Sequence, residues 1–298
     1  MTSESESLVR VETGQGVATL TLDSPHNRNA LSTPLMTQLM AALEAAEGDE
    51  AVRVVVLSHT GPVFCSGADL KETAETVAPE PAGSGAGRGA ISPDSAGSRG
   101  QSERSEPSST ASGRIPVAML GDVLAAIWEC PKPVVARVGG AARAGGLGLV
   151  AAADIAICAE EATFAFSEVR LGVVPAVISA TVLPRLPPRA AAELFLTGDT
   201  FDGRRAERIG LVTRATTAET LDATVAAYCG ALVLGGPEAL AGTKGVLHRR
   251  STATVREELA ELSALSVGYF QSEEGREGVR AFREKRHASW VPEGSGMA

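Results

Sequence analysis

KPVVARVGGAARAGGLGLVAAADIAICAEEATFAFSEVRLGVVP, residues 132–175, is the stretch on which the fold turns. It opens with an apolar, β-branched run, 133–138, that predicts a short buried strand. A small-residue turn is expected over 139–144. Gly145-Gly146 then begins a helix-forming run. A glycine turn that delivers a helix N-terminus leaves backbone N–H groups unpaired at the chain end. The helix dipole adds partial positive charge there, so such an end stabilises an anion or a developing oxyanion. Further on, Glu168 stands in FSEVRLG, a lone carboxylate among apolar neighbours. Donors at Gly145 with an acid/base at Glu168 form one reading. A turn built only for close packing uses the same residue types. The stretch lacks the GxGxxG spacing of a dinucleotide fold and has no Walker lysine.

Outward from this stretch, the first half alternates strands and helices. Residues 8–11 and 17–22 alternate polar and apolar around Gly14 and Gly16, a hairpin signature. Ser32 or Thr33 is placed to cap a helix that has Pro34 in its first turn and Leu35, Leu39, Met40 and Leu43 on one face. A buried strand is expected over 52–57. FCSGADLKE, 64–72, repeats the strand, glycine bend and helix start, so Ala68 could offer its N–H as Gly145 does. A plain strand-to-helix turn is the simpler reading of that segment by itself.

Residues 73–114 are dominated by Gly, Ser, Pro, Ala and charges and offer almost no apolar side chains, so a mobile insert is expected. A helical pattern resumes at Ile115. Strands are expected over 154–158, 163–166 and 210–212, and a helix over 204–209 capped by Asp202. Asp154, at a strand start, reads better as a structural hydrogen bonder than as a base. From 220 onward the pattern is almost wholly helical. The result is an α/β fold with a helical C-terminal appendage.

With 44% hydrophobic residues, the 298-residue chain can bury a large core, and with 4% aromatics it must do so with Ala, Val and Leu. The net charge of −9 argues against nucleic acid as a partner. Cys65, Cys130, Cys158 and Cys229 are scattered, and no histidine has a ligand-spaced partner, so neither disulfide nor metal is expected. The opening MTSESESLVR is acidic and serine-rich, unlike a secretory signal, and no apolar run reaches membrane-spanning length. A cytoplasmic protein with no membrane partner is the expectation.

FCSGADLKE, PKPVVARVGGAARAGG, ADIAICAEEATFAFSEVRLGVVP, LTGDTFDGRRAERIGLV and EGVRAFREKR occur in that order, and together they resemble the crotonase (enoyl-CoA hydratase/isomerase) superfamily. The resemblance implies a spiral of ββα repeats over 1–72 and 115–215. It also implies a C-terminal helical region, 216–298, for trimerisation and the coenzyme A cleft, and a homotrimer or hexamer. The substrate implied is an acyl-CoA thioester, with coenzyme A part of the substrate and no separate cofactor. It implies an oxyanion hole from the N–H groups of Ala68 and Gly145, with Glu168 catalytic. It places Arg28, Cys65, Ser66, Asp69, Leu70, Phe282 and Lys285 along the coenzyme A site. Two-carboxylate hydratases carry a glutamate three residues after the oxyanion-hole glycine, and here that residue is Gly148. The resemblance is finest to methylglutaconyl-CoA hydratase-like members, which implies hydration by one glutamate. Arg143 would then face a distal carboxylate in the acyl pocket beside Gly148. Double-bond isomerisation, or a non-catalytic thioester-binding or RNA-associated role, are the alternatives.

Overall fold

The protein is described from a computed structural model covering residues 7–76 and 116–292. The chain opens with β1 (Val9–Gly14) and β2 (Val17–Leu22), an antiparallel hairpin in which Gly14 pairs with Val17. The two turn residues, Gln15 and Gly16, both have positive φ, as the tight right-twisting hairpin turn requires. Next comes α1 (Thr33–Gly48), whose Ser32 hydroxyl accepts the Leu35 N–H and whose Leu35, Met36, Leu39 and Leu43 are buried. β3 (Val54–His59), β4 (Val63–Cys65) and α2 (Leu70–Thr76) follow. α2 includes 73–76, the start of the expected mobile insert, so that part is helical instead. The rest of that insert, 77–114, lies outside the described residues.

After it come α3 (Pro116–Glu129), β5 (Val134–Val138), β6 (Ala141–Arg143), α4 (Gly145–Ala152), β7 (Ile155–Ala159) and β8 (Thr163–Ala165). α5 (Ala176–Val182), α6 (Pro188–Thr197), β9 (Phe201–Asp202), α7 (Gly203–Arg208) and β10 (Arg214–Thr216) complete the α/β part. Among the described residues four helices follow: α8 (Leu221–Leu232), α9 (Pro237–His248), α10 (Val255–Gln271) and α11 (Glu273–Glu284).

Two sheets result. One has the order β1-β2-β3-β5-β7-β10, parallel from β2 onward, and the other the order β4-β6-β8-β9. After the β1–β2 hairpin, which lies wholly in the large sheet, the pairs β3–β4, β5–β6 and β7–β8 each put the first strand in the large sheet and the second in the small one, and a helix then returns the chain. This is the ββα spiral expected from the sequence. All six residues of β3 are buried, as in a parallel strand covered on both faces.

The structure corrects two further expectations. The small-residue turn at 139–144 contains a strand, β6, because Ala141 and Ala142 pair with β4 and Ala142 and Arg143 with β8. Alanines carry little strand signal of their own, and tertiary pairing decides. The strand expected at 210–212 is a turn, and β10 forms just beyond it, where Arg214–Thr216 pairs with β7.

Asp154 joins three parts of the chain. Its Oδ2 accepts the Val134 N–H at 2.8 Å and the Lys244 ammonium at 2.8 Å. Lys244, on α9, is buried and also donates to the Ile127 carbonyl at 3.2 Å. Removing one member of a buried pair strands the other's charge. Lys244→Met is therefore expected to cost about 3–5 kcal/mol in urea unfolding. A loss below ~1 kcal/mol, the range of an exposed pair, would show that water supports Asp154 instead.

Candidate active site

β4, β6 and β8 run parallel, so their C-terminal ends lie side by side. From these ends leave the Ser66-Gly67-Ala68 turn, the Ala144-Gly145 turn and the 3-10 turn Ser167–Leu171 that carries Glu168.

The first two turns touch. A Cβ on Gly67 would stand 2.9 Å from the Ala144 Cβ and 3.4 Å from the Gly145 nitrogen, while one on Gly145 would stand 3.7 Å from the Gly67 Cα. Gly67 has φ +89°, which favours glycine, so two demands meet at this residue. Leu31 forms a parallel bridge with Ala68, and its N–H donates to the Gly67 carbonyl at 2.8 Å. In such a bridge the flanking residues make the hydrogen bonds, so the Ala68 N–H points the other way. Gly145 is the first residue of α4 and has no helical acceptor for its own N–H. Two backbone donors are thus presented from adjoining turns.

Glu168 is half-buried, and its Oε2 is buried with no hydrogen-bond partner. Burial raises its pKa above the ordinary 4.5, against a smaller opposing effect of its own backbone N–H. A carboxyl held this way takes up a proton more readily than an exposed one, which suits it to proton exchange with a substrate. Gly148 has no room for a side chain: a Cβ would stand 2.8 Å from Ile178 Cγ2 and 3.2 Å from Leu124 Cδ1. Hydrocarbon from α3 and α5 therefore fills the place at Gly148 that a second carboxylate would need.

The other expected residues divide. Ser66 is half-buried in the turn and Leu70 is exposed at the start of α2. Arg28 is exposed with left-handed backbone, and its carbonyl accepts the Ser66 N–H at 3.1 Å, so its side chain starts beside the turn. Cys65 is fully buried, and desolvation pushes its thiol up to about 12, so it packs as a neutral side chain. Asp69 is occupied as the cap of α2. Its Oδ1 accepts the Lys71 N–H at 2.9 Å and its Oδ2 the Asn27 amide at 2.8 Å. Partial burial opposes the Asp69 charge, but these bonds outweigh it and hold the carboxyl below its usual range. Its carboxylate is thus engaged within the protein.

Arg143 is engaged within the protein too. Its guanidinium donates to the Ala142 carbonyl, the Thr163 carbonyl and the Thr163 hydroxyl. Thr163 opens β8, whereas Glu168 follows the opposite end, so the side chain runs back along the sheet, away from the end that carries Glu168. Phe282 is 84% exposed and Lys285 ends α11, a helix whose main packing partners are α9 and α10. The structure does not bring these two to the glycine turns. A cavity of about 700 Å³ lies away from the strand ends, between the β1–β2 hairpin and α8, and the Arg137–Asp222 ion pair lines it.

Three contributors escaped the sequence reading. Leu31 lies under both turns, with its Cδ1 2.9 Å from where a Gly145 Cβ would be. Asn29, fully buried, ties residues 24–29 to the approach to β4 by donating to Thr60 and Val63 carbonyls. Ala144 has φ +48° and ψ −118°, a strained setting for a residue with a side chain, of order 1–3 kcal/mol. No side-chain chemistry announces Leu31 or Ala144. Only the Asn in HNRNALS carried a signal, as a residue tolerant of positive φ.

The family model for enoyl-CoA hydratase/isomerase matches residues 12–85 and 102–293. The chain belongs to the enoyl-CoA hydratase/isomerase family. It is 32% identical over 279 residues to a "probable enoyl-CoA hydratase" of Rhodobacter capsulatus, covering 93% of this chain and 95% of that one. It is 31% identical over 281 residues to the peroxisomal Delta(3,5)-Delta(2,4)-dienoyl-CoA isomerase of Arabidopsis thaliana, covering 94% of each. The crystal structure of an enoyl-CoA hydratase from Mycobacterium avium superposes with a TM-score of 0.64 at 40% identity, over 96% of this chain and all of that one. The protein is an enzyme of this hydratase/isomerase family.

The raised pKa of Glu168 has a thermodynamic sign. The folded state holds the proton to higher pH than the unfolded chain, so stability is complete below the unfolded value of 4.5 and falls as pH rises through the folded value. Glu168→Gln removes that loss. Its Tm is expected to exceed wild type at pH 8 by ~1–3 °C, a modest gain because the group is partly solvated, and to match it near pH 4. Equal Tm values at both pH values would show that burial does not penalise the carboxylate.

Proposed function

We propose that this enzyme adds water across the 2,3-double bond of a 2-enoyl-CoA thioester with one carboxylate. The thioester carbonyl oxygen sits between the N–H groups of Ala68 and Gly145. Glu168 takes a proton from water as the water oxygen bonds to the β-carbon. The double-bond electrons move onto the carbonyl oxygen, and the two N–H groups hold the resulting enolate. Collapse of the enolate then draws the proton from Glu168 to the α-carbon, which restores both the thioester and the carboxylate. Preorganised donors aimed at a developing oxyanion contribute about 3–4 kcal/mol each. The observation that carries the reading is the buried, unpartnered Glu168 oxygen at the strand ends where the two donor turns meet.

Arg28, beside the first turn, is the cation best placed for the coenzyme A phosphates. Phe282 and Lys285 would join the cleft from a neighbouring subunit in a homotrimer or a dimer of trimers. In support, α10 has no buried residue, and Leu259, Val267, Phe270 and Phe282 are exposed. A neutral acyl chain fits better than a methylglutaconyl group, because Leu31, Leu120, Leu124 and Ile178 surround the glycines and Arg143 is engaged elsewhere. Isomerisation is the second reading. Glu168 would carry one proton between the α and γ carbons, and the apolar wall at Gly148, which leaves water a single carboxylate partner, favours it.

Crotonyl-CoA and 3-enoyl-CoA substrates, followed by loss or gain of the 2-enoyl-thioester absorbance, separate these readings. Loss with crotonyl-CoA is hydration, and gain with a 3-enoyl-CoA is isomerisation. Glu168→Gln is expected to lower kcat by roughly 10²–10⁴-fold. Full activity in this variant, or binding without turnover of any enoyl-CoA, would overturn the single-carboxylate mechanism.

A further inference from the structure

We propose that Arg170 is a positioning residue for Glu168, clasping the turn that carries the carboxylate to the end of α6. The inference rests on the role given to Glu168 above. Glu168 Oε2 makes no hydrogen bond, so nothing at that oxygen fixes the carboxyl direction. Its orientation must come from the backbone of the Ser167–Leu171 turn. In a 3-10 helix of three residues per turn, residues two apart point to different sides. Arg170 therefore leaves the turn on another side from Glu168. Arg170 Nε donates to the carbonyl of Thr197, the last residue of α6, at 3.1 Å, and its Nη2 pairs with Asp199 at 2.5 Å. The Thr197 carbonyl is one of those a helix end leaves unsatisfied, and a cation there also complements the dipole.

A second contact fixes the same turn. Gly198, between the two Arg170 partners, has φ +64°. A Cβ on it would stand 3.1 Å from Arg170 Nε and 3.2 Å from the Phe166 carbonyl oxygen. The turn therefore lies against Gly198 at both of its ends. Phe166, just before it, packs on Phe195 of α6 with ring centroids 4.3 Å apart. The ion pair itself is solvent-facing, with Arg170 59% and Asp199 64% exposed. Exposed pairs add little to stability. The clasp instead sets the rotation of the turn, and through it the side to which Glu168 points. Burial, not a neighbouring charge, raises the Glu168 pKa, so a turn that rocks outward would let water reach the carboxyl and return it toward its ordinary range.

The test measures kcat, KM and the kcat–pH profile with crotonyl-CoA, together with Tm, for Arg170→Met, Arg170→Lys, Asp199→Asn and Glu168→Gln. A 3-enoyl-CoA replaces crotonyl-CoA if wild type turns over only the former. Arg170→Met is expected to lower kcat roughly 10- to 100-fold, as small misplacements of a reacting group do, with KM and Tm nearly unchanged. Its acid limb should move to lower pH, Arg170→Lys should recover part of kcat, and Asp199→Asn should fall between. Wild-type kcat and an unmoved acid limb in Arg170→Met, with Glu168→Gln inactive, would overturn the clasp alone. So would a large fall in Tm with kcat lost and no shift of the limb, which marks a merely structural side chain. Full activity in Glu168→Gln would overturn the clasp and the reading of Glu168 together.

Discussion

Backbone packed directly on backbone at the ends of β4 and β6 is the contact on which the rest depends. A Cβ on Gly146 would stand 2.8 Å from the Cys65 carbonyl oxygen, and one on Gly140 only 2.2 Å from that of Pro62. No side chain fits between these segments. The close approach seats the start of α4 beside the Gly67 turn and leaves two amide groups without partners of their own on the same side of the fold. Much of the surrounding structure holds that contact in place. Leu31 braces it from below, Asn29 and the Arg143 clasp tie the flanking segments to their neighbours, and the Asp154–Lys244 pair locks the far end of α4 to the C-terminal helices.

The spiral topology explains why chemistry gathers here. Successive repeats place β4, β6 and β8 in parallel, and each strand then turns out of the sheet at the same end. In the proposed mechanism the donors come from two repeats and the proton carrier from a third. Hydrogen-bond donors fixed in advance need no reorganisation when charge develops on a bound carbonyl. Costs are visible in the same place: a positive φ at Ala144 and a partly buried carboxyl with an unpaired oxygen. Such local costs are tolerated where the surrounding packing over-determines them.

Much of this was readable from residue types. Glycine and alanine at 139–148 have few uses other than close approach, and the β-branched run at 134–138 has few other than a buried strand. Glu168 stood out as a charge inside an apolar segment. What stayed hidden was decided by contacts between distant segments. β6 consists of Ala-Ala-Arg and becomes a strand only because β4 and β8 lie on either side. The Arg143 side chain could point either way along that strand, and Thr163 settles the direction. The Asp69 carboxylate looked available until Asn27 came within 2.8 Å. Periodicity records which face of an element is buried, but not which partner takes a polar group on its edge.

The most direct measurement of the central claim is the infrared difference spectrum of the enzyme with a substrate labelled with carbon-13 at the thioester carbonyl. Two amide donors on one carbonyl oxygen polarise the bond and weaken it. The labelled stretch is expected to move to clearly lower frequency on binding, and to do so equally in Glu168→Gln, where the donors remain. A carbonyl band unchanged from its position in water, in a complex that still turns over, would show that the amides of Ala68 and Gly145 do not hold the thioester oxygen.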